Sequence, residues 1–147
     1  MTGSLLALDL GEKRIGVAVC DPEGLVAVPL GTLTREPLKA TLCRIGELVR
    51  EKEAAAVVIG LPRRTDGSEG PEAVAARDFA RMLASHLSIP ILFQDERFTT
   101  AQAERSLRMA ELTGPERRRR VDAVAATLIL QGYLDRRRQV QRREQGF

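Results

Sequence analysis

Apolar positions along the chain change their period several times, and each change marks an element. Leu5-Leu6-Ala7-Leu8-Asp9-Leu10 is a short apolar run of strand length, read as a buried strand. Gly11 to Arg14 reads as a turn, and Ile15 to Cys20 as a second apolar strand. Asp21-Pro22-Glu23-Gly24 then turns the chain into a third strand over Leu25 to Leu33. Three strands joined by short turns predict an antiparallel meander. From Pro37 the spacing becomes helical: Leu38, Leu42, Ile45 and Val49 recur at intervals of four, three and four, which is one face of a helix. Ala54 to Ile59 is rich in β-branched residues and reads as a fourth strand. The stretch from Gly60 to Gly70 is punctuated by Gly, Pro and Asp-Gly and reads as a loop. Pro71 suits the first turn of a helix whose apolar face is Ala76, Ala80, Leu83 and Leu87. Ile89 to Gln94 reads as a fifth strand. Thr99-Thr100-Ala101-Gln102 has the spacing of a capping box, and Thr113-Gly114-Pro115 ends the helix it starts. A last helix is expected from about Glu116 into an arginine-rich tail.

The order β-β-β-α-β-α-β-α-α predicts an α/β fold, a five-stranded mixed sheet flanked by helices. The first three strands are antiparallel, and the first, fourth and fifth are parallel. The chain of 147 residues shows no internal repeat or low-complexity linker. One domain over residues 1–138 is expected, followed by a basic tail over 139–147.

Composition narrows the function class. Hydrophobic residues make up 44% and charged residues 29%, as in a globular protein. No apolar run reaches the ~18 residues of a membrane span, and the amino terminus lacks a signal peptide's pattern. Cys20 and Cys43 stand without C-x-x-C spacing, which argues against a disulfide framework or zinc knuckle. A cytoplasmic setting with no membrane partner follows as the expectation. His86 is the only histidine, so histidine-based catalysis has little to work with. Charge is uneven: residues 1–100 carry a net −2 and residues 101–147 a net +5, every cation of the latter being arginine. Arginine forks match phosphate oxygens, which points to a nucleic acid or another polyphosphate. A solvated surface in an arginine-rich proteome explains the same charges. One Tyr, four Phe and no Trp leave poor support for a base-stacking platform.

Three carboxylates stand in apolar surroundings. Asp9 shares a strand face with Leu5 and Ala7, where a charge is costly unless paired or metal-bound. Asp95-Glu96 follows Ile91-Leu92-Phe93 at the carboxyl end of a strand, where open α/β sheets place their ligands. Alternation points only one of the two toward a site, and the sequence does not choose between them. Asp122 lies on one helical stripe with Ala125, Ala126, Ile129 and Tyr133. Each acid alone has a structural explanation: turn amides for Asp9, a solvated strand end for Asp95 or Glu96, the helix dipole for Asp122. Their convergence suits Mg²⁺ or Mn²⁺, since hard cations prefer carboxylates and water. Two such ions roughly 3.5–4 Å apart activate water and stabilise the leaving oxygen in phosphodiester hydrolysis.

The same residues carry a family likeness. Leu8-Asp9-Leu10-Gly11-Glu12-Lys13-Arg14-Ile15-Gly16-Val17-Ala18 resembles the first motif of the YqgF/RuvX family of RNase H-like nucleases. Gly60-Leu61-Pro62 with Asp66-Gly67-Ser68-Glu69-Gly70 resembles the second motif, and Asp95-Glu96-Arg97-Phe98-Thr99-Thr100 the third. Asp122-Ala123-Val124-Ala125-Ala126 with Leu128-Ile129-Leu130-Gln131 resembles the fourth. The likeness implies an RNase H-like fold and a nuclease dependent on Mg²⁺ or Mn²⁺. It also implies a role in ribosome biogenesis, processing the 5′ end of pre-16S rRNA. By motif position, the catalytic and metal-binding acids are Asp9, Glu96 and Asp122. Lys13, Arg14, Arg63, Arg64, Arg97 and Thr99 are the expected nucleic-acid contacts. The chain departs from the family by placing Arg63-Arg64-Thr65 where an apolar-Asn-Met stretch is usual, and by a longer, more basic tail.

The leading expectation is therefore a two-metal-ion hydrolase acting on RNA. A Holliday junction resolvase acting on branched DNA shares the metal site but needs a dimer. A non-catalytic ribosome-assembly factor, its acids purely structural, is the third reading. An ATPase of the actin type needs two related domains, and this chain has room for one. Monomer or homodimer, and RNA against branched or single-stranded DNA, are left open by the motifs.

Overall fold

A computed structural model of the chain describes residues 3–96, 115–144 and 146. Strands β1 (Ser4–Leu10), β2 (Arg14–Cys20) and β3 (Ala27–Thr34) form the meander. Helix α1 (Leu38–Glu51), strand β4 (Ala54–Leu61), helix α2 (Pro71–Ala84) and strand β5 (Ile91–Asp95) follow, and helix α3 (Pro115–Glu144) ends the chain. The sheet order is β3-β2-β1-β4-β5. β1 pairs antiparallel with β2 and β2 with β3, while β4 runs parallel to β1 and β5 parallel to β4. This is the five-stranded mixed sheet expected from the apolar pattern. The expected helix from Thr99 to Thr113 lies outside the described residues.

Alternation along the central strands divides the core in two. Leu6, Leu8, Ile15, Val17, Val57 and Ile59 face α1 and α2, meeting Ile45, Leu48, Phe79 and Leu83. Leu5, Ala7, Ala18, Ala56 and Val58 face the other way and pack against Ala126, Ile129, Leu130 and Leu134 of α3. Central strands buried on both faces read as continuous apolar runs, which is why β1, β2 and β4 lack a polar alternation.

Several boundaries differ from the pattern, among them the end of β4, which runs on to Leu61 instead of stopping at Ile59. β3 begins at Ala27 rather than Leu25. The Asp21 carboxylate accepts the N–H groups of Leu25 (2.8 Å) and Val26 (2.7 Å), holding both in the turn. β5 begins at Ile91 rather than Ile89. Pro90 has no N–H to give the ladder, although its carbonyl accepts the Val57 N–H at 3.0 Å. α2 ends at Ala84, so Leu87 packs on the core from outside the helix. α3 passes without a break through the expected domain boundary at 138 and 139.

The α3 face of the sheet is shaped by small residues. Gly16 on β2 pairs with Asp9 on β1. A Cβ at Gly16 would collide with the Asp122 carbonyl oxygen and lie 3.2 Å from the Ala123 nitrogen. The helix backbone thus rests directly on the strand. Gly16→Ala should push α3 off the sheet and cost roughly 1–3 kcal/mol, the scale of core overpacking. Urea denaturation checks this: a midpoint equal to that of the unsubstituted protein would show that the approach is not stabilising.

Candidate functional site

Strand direction places the acids. Asp9 is one residue from the carboxyl end of β1 and points to the α3 side, like Leu5 and Ala7. On β5, Leu61 and Asp95 are register partners, and Glu96 extends the ladder by donating its N–H to the Leu61 carbonyl at 3.0 Å. Gln94 and Glu96 then share the α3 side, and Phe93 and Asp95 the opposite one. The structure resolves the choice between the two adjacent acids. Asp95 lies 3.9 Å from Arg63 on the far side, whereas Glu96 turns inward.

Asp9 and Glu96 line one pocket of about 250 Å³ with Leu10, Gly11, Glu12, Gly60, Pro62, Glu72 and Ala125. Arg35 is the basic residue in its wall. The volume holds a hydrated cation, since one water occupies about 30 Å³. Gly60 makes the inward turn of Glu96 possible. A Cβ there would collide with the Glu96 carboxylate and lie 2.7 Å from Ile129 Cδ1. Asp9 and Glu96 are each 5% exposed and Asp122 is 6% exposed.

Asp122 is held apart from the other two. It stands on the helical face of Ala125, one turn away, but Arg14 Nε donates to its Oδ2 at 2.9 Å. Among the described residues, no three His, Cys, Asp or Glu side chains stand close enough to hold a metal ion together. Asp9 and Glu96 supply the oxygen-only donors that a hard divalent cation takes, in a cradle that a Cβ at residue 60 would fill.

The basic candidates divide likewise. Lys13 is exposed on the turn between β1 and β2. Arg63 reaches toward both Glu69 (3.8 Å) and Asp95 (3.9 Å), so it braces the loop over 62–70. Arg77 clamps that loop through two bonds to Glu69, at 2.6 and 2.7 Å. Arg64 is exposed beside Gly70. Arg97 and Thr99 lie outside the described residues. Sequence reasoning missed Arg35 and Glu72, and it placed Gly16 and Gly60 in motifs without assigning either a role. Arg35 donates from Nη1 to the Gly11 carbonyl at 2.7 Å and stacks 5.7 Å from the Phe79 ring centroid. No pattern in the sequence marks a single arginine after a strand, or tells a glycine under a helix from one in a turn.

Burial first, and the Asp95 charge second, push the Glu96 carboxyl up from 4.5 to about 7. The unfolded chain releases this proton near 4.5, the folded one near 7. Stability conferred by the neutral form is therefore complete below 4.5 and lost as pH rises to 7. In metal-free buffer, the protein should lose roughly 2–3 kcal/mol relative to Glu96→Gln between pH 4.5 and pH 7.5. Paired denaturation curves at the two pH values test this, and a difference that stays flat would refute a proton held by burial.

The RuvX family model, described as a Holliday junction resolvase, matches residues 3–136. A "Putative pre-16S rRNA nuclease" of Moorella thermoacetica is 49% identical over 132 residues, covering 90% of this chain and 94% of that protein. The protein of the same name from Leuconostoc citreum is 45% identical over 134 residues, covering 89% and 94%. Among solved structures, Thermus thermophilus RuvC in complex with a Holliday junction aligns at a TM-score of 0.49 and 19% identity, over 86% of this chain and 91% of that one. With a family model spanning nearly its whole length and relatives near half identity, this chain belongs to the RuvX family.

Proposed function

We propose that this chain is a divalent-cation-dependent nuclease that hydrolyses phosphodiester bonds in RNA, maturing the 5′ end of pre-16S rRNA in the cytoplasm. The observation that carries the reading is the pair of buried acids, Asp9 and Glu96, facing one pocket from the carboxyl ends of β1 and β5. The names borne by relatives at 43–49% identity supply the substrate.

In this reading Asp9 and Glu96 hold the cation, and Asp122 completes the set when Arg14 leaves it. A bound Mg²⁺ or Mn²⁺, or a pair of them, supplies Lewis acidity to the phosphate and lowers the pKa of a water. Arg14, once released, is positioned to take a phosphate oxygen in place of the Asp122 carboxylate. Arg35 is anchored by its bond to Gly11, which leaves the rest of its guanidinium fork for a non-bridging phosphate oxygen. Glu12 and Glu72 make the pocket more acidic, which would favour a cation there and disfavour a bare polyanion. Lys13, Arg64, Arg97 and Thr99 are proposed to hold flanking phosphates, with Arg63 stiffening the loop beside them.

Asp9→Asn should reduce Mn²⁺-dependent cleavage of an RNA carrying the 16S 5′ leader by a hundredfold or more on the general scale of lost electrostatic stabilisation. Arg35→Gln should lose about tenfold in kcat/KM on the same RNA, in line with ~1.5 kcal/mol for a charge-assisted bond. Rates on matched RNA, single-stranded DNA and a four-way DNA junction are measured side by side. Undiminished cleavage by Asp9→Asn refutes the site, and faster cleavage of the junction than of RNA favours the resolvase reading.

A further inference from the structure

The carboxyl-terminal third of α3 lies beyond the body of the domain. Leu134 is the last buried residue of the helix, and nothing from Asp135 to Glu144 is buried. Within those ten residues stand five arginines, Arg136, Arg137, Arg138, Arg142 and Arg143, against the acids Asp135 and Glu144. A surface helix with no apolar face to bury gains little from packing, so its charges need another explanation.

The five arginines have different surroundings. Arg137 lies 5.9 Å from the Tyr133 ring centroid and occupies the space beside Gly24, which ties the base of the projection to the body. Arg138 pairs with Asp135. Arg136, Arg142 and Arg143 are exposed and have no acidic partner among the described residues. Arg136 and Arg143 are seven residues apart and therefore share a helix face, about 10 Å from one another along the axis. That distance spans about three phosphates at the ~3.4 Å spacing of one strand in a duplex. The same helix carries Ala125 in the pocket wall, one turn from Asp122. Arg136 and Arg143 thus lie roughly 20 and 30 Å along the axis from Asp122.

We propose that Asp135–Glu144 is a docking strip that grips the phosphate backbone of a double-helical flank of the RNA substrate, some six to nine nucleotide steps from the bond to be cut. The proposal rests on the nuclease reading for its substrate but not for its chemistry. Backbone phosphates fit the strip better than unpaired bases do, because it offers arginine forks and no exposed aromatic ring for stacking. α3 then acts as a ruler, fixing at one end which phosphate meets the acids at the other.

The test is binding in EDTA, where nothing is cut. RNA hairpins with stems of about 5 and about 12 base pairs are titrated by fluorescence anisotropy with the full chain and with the R136A/R142A/R143A variant. The variant should bind the long stem at least tenfold more weakly, with the slope of log Kd against log salt reduced by about three. The short stem should bind both proteins alike. Equal weakening on both stems, or an unchanged slope, overturns the strip. A DNA hairpin bound more tightly than the RNA one, or an acidic peptide competing the long stem away at lower concentration than RNA does, overturns the assigned partner. Unchanged melting temperature of the variant shows that any loss is local. The outcome is independent of Asp9: cleavage surviving Asp9→Asn sinks the nuclease reading and leaves this binding result standing.

Discussion

The contact on which the site depends is the one between the backbone of α3 at Asp122 and the backbone of β2 at Gly16. With no Cβ between them, the helix lies flush on the sheet. That depth brings Ala125 and Ile129 down to the level of Asp9 and Glu96 and closes the pocket from above. Gly60 does for Glu96 what Gly16 does for the helix, leaving room for a carboxylate where any side chain would fill the space. Two missing side chains, on the strands that flank β1, thus shape the acidic pocket.

Electrostatics pull against that packing. A carboxylate sealed under a helix is destabilising unless something neutralises it. Two different answers are visible. Asp122 is met by the Arg14 guanidinium, and Glu96 holds its proton up to about 7 because burial and the Asp95 charge both disfavour ionisation. Both answers are reversible: a proton can leave and an arginine can swing away. Perturbed carboxylates gathered at the carboxyl ends of strands are a compromise between stability and chemistry of the kind that functional sites show.

Much of the fold was legible because apolar periodicity reports burial directly. β1, β2 and β4 are buried on both faces and read as unbroken apolar runs, and α1 shows its face through Leu38, Leu42, Ile45 and Val49. The errors fell at element ends, where single polar contacts decide. The Asp21 carboxylate kept Leu25 and Val26 in a turn, and Pro90 withheld an N–H from β5. In the site, the three buried acids stood out from their apolar neighbours in the chain. Arg35 did not, because its place beside Asp9 comes from the Gly11 carbonyl and the Phe79 ring, residues far from it in sequence.

By itself the sequence determined the strand and helix order, the split of charge between acidic strand ends and an arginine-rich terminus, and the family, all of which are carried by local pattern. Tertiary structure decided that Arg14 stands on Asp122, and it supplied the physical ground for Glu96 over Asp95, which strand alternation left open and only the family likeness had favoured. It alone gave Gly16 its place under the backbone of α3 and Gly60 its place under the Glu96 carboxylate. Those outcomes depend on which faces meet across the sheet, and side-chain orientation across strands is set by register and packing depth, quantities that no window along a single chain contains.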